Sequence, residues 1–420
     1  MVDSQTLKKY FEDNLERYLD IHRQMVEINS FTANPQGVNE LGRLTTGLFE
    51  PLGFQTEYVQ SVDPSFGKHV FLTKPASNSQ INSPPPAIAM ISHLDTVFPP
   101  EEETRNDFSW LREGNRIYGP GAVDIKGGTV LIYMTLEAIR RFALEAFETH
   151  SWLVYLDASE ERLSEDFAGL CLQRLPASTQ ACLVYEGGNI SNSDFLLVTA
   201  RKGRATFRVS VEGRSAHAGN NHALGANAIV QMAHTIQKIA ALTDYGRDLT
   251  YNVGTVKGGV VVNRVPHKAE AVVEMRTFDP QVYAEGRRAM LALNGSSEVT
   301  SQDGFACQVQ VEVLNETEPW PRNEATEQLF LHWQSVAHSL GMQVRREERG
   351  GLSDGNFLWR QVPVLDGLGP AGNNAHCSER DPQHGKEPEY VSIASFVPKA
   401  LMNTYAILNL IKKEQPETHS

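Results

Sequence analysis

One short apolar segment of the chain, residues 88–91, ends at residues that could do chemistry. His93 and Asp95 follow this segment within four positions. A short apolar run with turn residues before it is typical of a buried strand. An imidazole or a carboxylate at the end of such a strand needs water, a polar partner or a metal ion. Ligands of open α/β sheets bind at the carboxyl ends of strands, so matching groups from other strands would form a site there.

Four further acids lie at comparable points of the chain. A second apolar run leads to the adjacent acids Glu160 and Glu161, and a third ends directly at Glu186. Asp124 lies in a glycine-rich segment, residues 118–128, just before a stretch with helical character. Carboxylates and imidazoles are common ligands of metal ions in proteins. The pattern therefore predicts a metal site at one edge of a sheet.

The adjacency of Glu160 and Glu161 indicates what such a site could do. A carboxylate ligand and a general base must lie close together but perform different tasks. Adjacent side chains point in different directions, so one can reach a metal ion while the other reaches a metal-bound water. His376 lies in a loop after another apolar run and is a natural partner for Glu161. Together these residues indicate metal-assisted hydrolysis.

The order of the sequence patterns predicts an α/β protein with two domains. Helical and strand patterns alternate to Glu186, as a mostly parallel sheet flanked by helices requires, and we assign residues 1–200 to the first part of this domain. Within this part, residues 61–83 are polar with turn residues and predict a hairpin or a loop. Residues 201–315 show the order strand, helix, strand, strand, helix, strand of a ferredoxin-like domain. Residues 316–420 resume the first domain, so we expect the second domain to be an insertion.

Composition restricts the classes of function. The 420 residues carry a formal net charge of −13, which argues against nucleic acid or an anionic membrane as a partner. The N-terminus lacks a signal-peptide core, and no stretch approaches the roughly 20 apolar residues of a transmembrane helix. The four cysteines lack the paired spacing of a zinc or redox motif, and free thiols fit a reducing compartment. We therefore expect a cytoplasmic globular protein.

Motifs ordered along nearly the whole chain resemble those of the M20 family of two-zinc metallopeptidases. The resemblance is nearest to the carboxypeptidase G2-like (glutamate carboxypeptidase) branch. Many motifs in the expected order identify a family far more specifically than any single motif does. The matching segments are residues 92–97, 119–128, 160–161, 186, 213–219, 350–356 and 376.

This resemblance implies two Zn²⁺ ions per subunit. One ion would be bound by His93, Asp124 and Glu186, and the other by Glu161 and His376, with Asp124 bridging the pair. Two-metal sites place such ions about 3.5–4 Å apart. The five ligands are imidazole or carboxylate groups, which suits zinc and excludes a thiolate-type site.

The resemblance also implies two supporting roles beside the metals. Glu160 would be the general base and acid, taking the proton of the attacking water and passing it to the leaving amine. Asp95 would lie behind His93 and orient its ring. Members of the family often hold the peptide bond after the bridging acid, here Asp124–Ile125, in the cis form.

The inserted domain resembles the lid and dimerisation domain of the family. His217 would reach the active site of the neighbouring subunit of a homodimer and stabilise the tetrahedral oxyanion. Asn263, Arg276 and Ser353 would bind substrate, and the guanidinium of Arg276 suits a free carboxylate. The residues alone leave alternatives open. His217 could be an ordinary turn residue, and Arg276 a surface charge at a strand end.

The complete ligand set favours a zinc-dependent hydrolase of an amide bond. A metallocarboxypeptidase that releases a C-terminal amino acid such as glutamate agrees best with Arg276. An N-acyl-amino-acid deacylase or a dipeptidase shares the metal chemistry and differs only in the pocket. Ser159 precedes the acid pair where the family more usually has aspartate, so the substrate side chain stays open. A binding protein without turnover is expected to lack a ligand or the base, and every such position is filled here.

Overall fold

The computed structural model describes residues 3–77, 84–164, 166–191 and 193–412. The chain forms two compact units. The first unit takes its described residues from Met1–Thr199, Arg322–Glu347 and Ser353–Ser420, and the second from Ala200–Pro321 and Glu348–Leu352.

The regular elements are numbered here in chain order. Within the described residues the α-helices are α1 (Ser4–Val26), α2 (Pro35–Phe49), α3 (Pro100–Arg105), α4 (Gly127–Phe142), α5 (Leu144–Thr149), α6 (Phe167–Arg174), α7 (Ala228–Ala241), α8 (Pro280–Leu291), α9 (Glu324–Ser339), α10 (Gly355–Leu358) and α11 (Phe396–Lys412). The strands of the same residues are β1 (Gln55–Gln60), β2 (Lys68–Lys74), β3 (Ala87–His93), β4 (Leu111–Glu113), β5 (Arg116–Tyr118), β6 (Ser151–Asp157), β7 (Thr179–Val184), β8 (Asn189–Ser191), β9 (Asp194–Arg201), β10 (Gly203–Glu212), β11 (Thr250–Gly258), β12 (Lys268–Thr277), β13 (Gln308–Thr317), β14 (Val344–Arg349), β15 (Val364–Leu365), β16 (Gly372–Asn373) and β17 (Tyr390–Ser392).

A six-stranded mixed sheet forms the centre of the first unit, in the order β1-β2-β6-β3-β7-β15. The four strands from β6 to β15 run parallel, whereas β1 and β2 are antiparallel to their neighbours. Every residue of β3 and β6 is buried, as expected of parallel strands covered on both faces. The mostly parallel sheet predicted from the sequence is therefore confirmed.

The predicted hairpin or loop at residues 61–83 is in part a strand of the main sheet. β2 begins at Lys68, forms a hairpin with β1 and pairs with β6. Residues 78–83 lie outside the described residues. The buried residues Val70, Phe71 and Leu72 attach this hairpin to the core.

Helices that pack on one another and on the sheet supply most of the apolar core of the first unit. α11 packs against α1, α4 and α9. In α4, all the residues from Gly127 to Leu136 are buried. A helix that is apolar on all sides belongs in a protein interior. This burial fixes the N-terminal end of α4 against the carboxyl end of the sheet.

The second unit is a four-stranded antiparallel sheet, in the order β11-β12-β10-β13, with α7 and α8 packed on it. This strand order and the sequence β-α-β-β-α-β define a ferredoxin-like domain, as predicted. In β10, buried residues alternate with partly exposed ones. One face of the sheet therefore packs on the helices, which explains the alternation of apolar residues in this strand.

None of the described helices is both long enough and apolar enough to cross a membrane.

Candidate metal centre

The first unit brings His93, Asp124 and Glu186 together at the carboxyl edge of the main sheet. Nε2 of His93 lies 3.1 Å from Oδ1 of Asp124 and 3.8 Å from Oε1 of Glu186. One possible ligand atom from each of the three residues lies within 4.8 Å of the others. β3 ends at His93, and Glu186 follows β7 after one residue, which places both at one edge.

A second group contains Asp124, Glu161 and His376, and its ligand atoms also lie within 4.8 Å of one another. Nε2 of His376 lies 3.3 Å from Oδ2 of Asp124 and 3.2 Å from Oε2 of Glu161. The two oxygens of Asp124 therefore face different histidines. A carboxylate shared in this way is the arrangement expected of a two-metal site. The donors are imidazole and carboxylate groups, which fit zinc.

The turn that carries Asp124 depends on glycine. The turn Ala122–Lys126 leads directly into α4, and the Asp124–Ile125 peptide bond is cis, as predicted. At Gly128, in the first turn of α4, an added Cβ would lie 2.0 Å from the carbonyl oxygen of Tyr185. Only glycine allows the helix to approach the end of β7 this closely. The close approach brings the Asp124 turn beside Glu186.

Asp95 has more contacts than its predicted role requires. The nearest acceptor for Nδ1 of His93 is the backbone carbonyl of Asp95 at 3.0 Å, while the carboxylate lies at 3.4 Å. That carboxylate accepts hydrogen bonds from the backbone N–H groups of Glu160 and Glu161, at 3.1 and 3.2 Å. It also accepts one from the hydroxyl of Thr32 at 2.7 Å. Asp95 therefore orients the histidine mainly through its backbone and holds the acid pair through its side chain.

Charges inside the site shift the pKa values of its residues. Hydrogen bonds to Asp124 and Glu161 raise the pKa of His376 to about 11. Burial opposes protonation of His93, but hydrogen bonds to Asp124 and Asp95 hold its pKa well above the ordinary value. These shifts follow from the negative charge of the surrounding carboxylates. Because a histidine must be neutral to bind a metal, an ion that binds here displaces these protons.

Glu160 lies half-buried beside the two groups and is a member of neither. Burial raises its pKa well above the ordinary value, and the charges of Glu186, Glu161 and Asp354 add to this effect against that of His93. A raised pKa makes a carboxylate a stronger base than it is in water. The position and the pKa of Glu160 thus fit a general base and acid.

The loop before Glu160 is anchored by charges that the sequence did not indicate. His69 of β2 lies between two acids, with Nδ1 3.1 Å from Oδ1 of Asp157 and Nε2 3.3 Å from Oδ1 of Asp166. Asp157 also accepts a hydrogen bond from the backbone N–H of Ser159 at 2.8 Å. Burial lowers the pKa of His69, but Asp157 and Asp166 outweigh burial, so the pKa lies above its ordinary value.

Protonation of His69 is expected to stabilise the fold. A histidine whose pKa is higher in the folded state than in the unfolded state stabilises the fold when it is protonated. Its contribution to the free energy of unfolding is complete below the ordinary histidine pKa of about 6.5. The contribution is lost as the pH rises through the folded-state pKa. We therefore expect His69→Gln to be less stable than the wild type by a margin that is largest below about pH 6.5 and shrinks as the pH rises above that value. Urea unfolding of the chelator-treated proteins measures this margin. A margin that is constant or grows with pH would contradict the ion pair.

Two more buried acids near the site also escaped sequence reasoning. Asp354 is 5% exposed, and burial together with the charge of Asp157 raises its pKa well above the ordinary value. Glu389 is fully buried, and burial and the charge of Asp124 raise its pKa to about 8. Asp354 lies inside a matching motif, which could have marked it. Glu389 follows a proline in a polar loop and gives no such signal.

The predicted substrate-binding residues lie in different places. Ser353 is buried in the first unit, where its hydroxyl donates to Oδ2 of Asp366 at 2.9 Å. Arg276 belongs to the second unit, where its guanidinium donates to both carboxylate oxygens of Glu274, at 2.6 and 3.2 Å. It also donates to the carbonyl of Gly350. The guanidinium fork of Arg276 is thus engaged by a neighbour on its own strand.

His217 and Asn263 are neighbours on the exposed surface of the second unit. The backbone N–H of Ala218 donates to the carbonyl of Asn263 at 3.0 Å. Nδ1 of His217 accepts hydrogen bonds from the backbone N–H groups of Gly219 and Asn220, at 3.1 and 3.0 Å. An Nδ1 atom that accepts two hydrogen bonds leaves the proton of a neutral imidazole on Nε2. His217 therefore presents an N–H donor at its outer nitrogen.

Comparisons with known proteins agree with this fold. Residues 199–292 match the family model of the M20 peptidase dimerisation domain. Carboxypeptidase G2 of Pseudomonas sp. (strain RS-16) is 24% identical over 393 residues, which are 92% of this chain and 88% of that protein. Succinyl-diaminopimelate desuccinylase of Paracidovorax citrulli is 23% identical over 418 residues, 93% of this chain and 96% of that protein.

A solved structure shows the same fold. The M20 family metallo-carboxypeptidase of Sulfolobus solfataricus superposes with a TM-score of 0.68 at 15% identity, covering 94% of this chain and 98% of the other. The fold, the site and these matches together define a hydrolase of the metallopeptidase class. These matches confirm the resemblance to the M20 family that the motifs predict.

Proposed function

We propose that this protein is a dinuclear zinc hydrolase that cleaves an amide bond and releases a C-terminal amino acid. The observation that carries the proposal is the pair of three-residue groups joined by Asp124, with Glu160 beside them. One zinc ion would be bound by His93, Asp124 and Glu186, and the other by Asp124, Glu161 and His376. Bound zinc would supply Lewis acidity and lower the pKa of a water molecule.

Three residues of the chain would then transfer protons, position the base and stabilise the charge that develops on the substrate. Glu160 would accept the proton of the attacking water and donate it to the nitrogen of the leaving amine. Asp95 would hold Glu160 and Glu161 by their backbone N–H groups and so fix the base relative to the ligands. The Nε2–H group of His217 would stabilise the negative charge that develops on the carbonyl oxygen.

The substrate proposal depends mainly on Arg276, whose planar guanidinium suits a free carboxylate such as that of a C-terminal glutamate. The similarity of the chain to carboxypeptidase G2 supports this role. Glu274 offsets the charge of Arg276 and so weakens the case for an acidic C-terminal residue. A second candidate is therefore an N-acyl-amino-acid deacylase or a dipeptidase that acts on other side chains. Similarity to a desuccinylase also supports the second candidate.

A hydrolysis screen of the purified protein with added zinc tests the proposal. Peptidyl and N-acyl derivatives of glutamate, aspartate and neutral amino acids would be compared with simple dipeptides, and each reaction repeated with a chelator. We expect chelator-sensitive release of one class of C-terminal amino acid, with acidic residues preferred. Release of neutral amino acids alone would favour the second candidate. A protein that binds two zinc ions and hydrolyses none of these substrates would contradict both.

His217 is expected to act across a homodimer. His217→Ala should lower kcat by roughly 10²–10³-fold, as the loss of an oxyanion donor does, with the zinc content unchanged. Mixing and reassembling His217→Ala with the inactive Glu160→Gln protein gives dimers of which half are mixed. Each mixed dimer would have one complete site, so roughly a quarter of wild-type activity should return.

The reassembly experiment has its own control. Each variant reassembled alone should stay inactive, so recovered activity must come from mixed dimers. A mixture that stays inactive, although mixed dimers are detected by mass spectrometry of differently tagged chains, would rule out action of His217 across the dimer. A His217→Ala protein with unchanged kcat would rule out the oxyanion role itself.

A further inference from the structure

Glu389 is a fully buried acid that the proposed mechanism does not use. It lies in the first unit, directly before β17. Acidic side chains are almost never fully buried unless they are paired or hydrogen-bonded. The partners of Glu389 therefore indicate what it does.

The side chain of Glu389 holds the turn that carries the bridging acid. Its Oε1 atom accepts hydrogen bonds from the backbone N–H groups of Val123 and Asp124, at 2.9 and 3.0 Å. Both N–H groups are in the buried turn Ala122–Lys126, so without Glu389 they would lose their acceptor. Two bonds to successive N–H groups fix the orientation of the backbone from which the side chain of Asp124 projects.

The backbone of Glu389 contacts two further segments of the site. Its N–H group donates to the carbonyl of Cys377, the residue after His376, at 2.7 Å. Its carbonyl accepts a hydrogen bond from the N–H group of Gly119 at 3.4 Å. Thus one residue is bonded to the loop of His376 and to the glycine-rich segment of Asp124. These two segments supply ligands to the same metal group, although they are about 250 residues apart in the sequence.

We propose that Glu389 is a positioning residue that sets the distance between Asp124 and His376 in the second metal group. The assignment rests on the proposed function, since it presumes that these residues bind zinc. Metal ligands must be held within about 0.5 Å of their productive positions by the residues around them. Glu389 does so by bonding the two ligand segments to one another. Loss of the Glu389 side chain should therefore weaken zinc binding by the group that contains His376.

Three substitutions separate the hydrogen bonds of Glu389 from its ability to ionise. Glu389→Ala removes the acceptor. Glu389→Gln keeps an oxygen that can accept both N–H groups but cannot ionise. Glu389→Asp keeps an ionisable carboxyl group but draws it back by one methylene group, away from the turn. A matched control is Glu137→Gln on α4, an acid of the same unit that accepts hydrogen bonds from the hydroxyls of Tyr10 and Tyr18.

The readout is metal binding. Zinc affinity would be measured by competition with a chromophoric chelator, and the visible absorption of the Co²⁺-substituted proteins would report the geometry of the ligands. We expect one of two zinc ions to bind roughly 10–100-fold more weakly in Glu389→Ala and Glu389→Asp, with an altered Co²⁺ spectrum. Glu389→Gln and the control Glu137→Gln should match the wild type. The aspartate and glutamine variants decide the question even where the alanine variant does not fold.

Two results would overturn the assignment. Folded Glu389→Ala or Glu389→Asp with wild-type zinc affinity and an unchanged Co²⁺ spectrum would show that Glu389 does not position the ligands. A Glu389→Gln protein as impaired as the aspartate or alanine variant would show that the hydrogen bonds are not the cause. A wild-type protein that binds no zinc would instead refute the proposed function, and the positioning role with it.

Discussion

Glu160→Gln is expected to lower kcat by roughly 10²–10⁴-fold while both zinc ions stay bound. The side chain lies beside the two ligand groups and in neither, so its carboxyl group can be changed without loss of a ligand. Glutamine occupies nearly the same volume but cannot take a proton from water at neutral pH. Steady-state kinetics on the substrate identified in the screen, together with zinc analysis of the same sample, would measure both effects.

The adjacent residue provides the matched comparison. Glu161→Gln alters a possible ligand, since Oε2 of Glu161 lies 3.2 Å from Nε2 of His376. This variant should lose activity together with zinc, and added zinc should restore part of the activity. If Glu160→Gln loses zinc in the same way, or retains wild-type kcat, the assignment of Glu160 as the base is wrong.

Asp124→Ala is expected to remove zinc from both groups, because each of its two oxygens faces a different histidine. Loss of both ions should lower the rate of hydrolysis by about a thousandfold or more, which corresponds to about 4 kcal/mol of transition-state stabilisation. Among the residues that the structure describes, no other belongs to both groups. The zinc content of the variant after dialysis and its rate of hydrolysis would be measured side by side.

A surface acid serves as the control for this substitution. Asp20 is exposed on α1, where it pairs with Arg23, and Asp20→Ala should retain both zinc ions and the full rate. His376→Ala should give an intermediate result, with one zinc ion retained through His93 and Glu186. Two tightly bound zinc ions in Asp124→Ala would contradict the bridging role.

The parts of the site that sequence reasoning found share one property. His93 and Glu186 come at the ends of fully apolar runs, where a polar side chain requires a polar partner or a metal ion. The ferredoxin-like order of the second unit was visible for a similar reason, because β10 alternates buried and partly exposed residues along its whole length. The polar residues at strand ends and the alternation in β10 both depend on the local pattern of apolar residues. A single sequence is enough to show such a pattern.

Other features depend on contacts between distant residues. Glu389 bonds to a turn 265 residues away, and nothing near it in the sequence marks it as buried. The same holds for the ion pairs of His69 with Asp157 and Asp166. β2 was only partly predicted because its apolar core is three residues long and has charged or polar neighbours on both sides. Such features arise from packing between elements, which periodicity does not encode.

Two predicted residues, Asp95 and Arg276, have hydrogen-bond partners in the structure that the sequence did not predict. Asp95 orients His93 mainly by its backbone carbonyl, while its carboxylate holds the acid pair. A backbone atom has no residue type, so its role could not be inferred from the sequence. The pairing of Arg276 with Glu274 could have been suspected, since residues two apart in a strand lie on one face.

The contact at Gly128 has a consequence for how this enzyme can diversify. A methyl group there would lie 2.0 Å from the carbonyl oxygen of Tyr185, so any larger residue would force α4 away from β7. The width of the metal centre therefore depends on the absence of a side chain at this position. A change of substrate that keeps the metal centre is therefore expected to need substitutions in the walls of the pocket and none at Gly128.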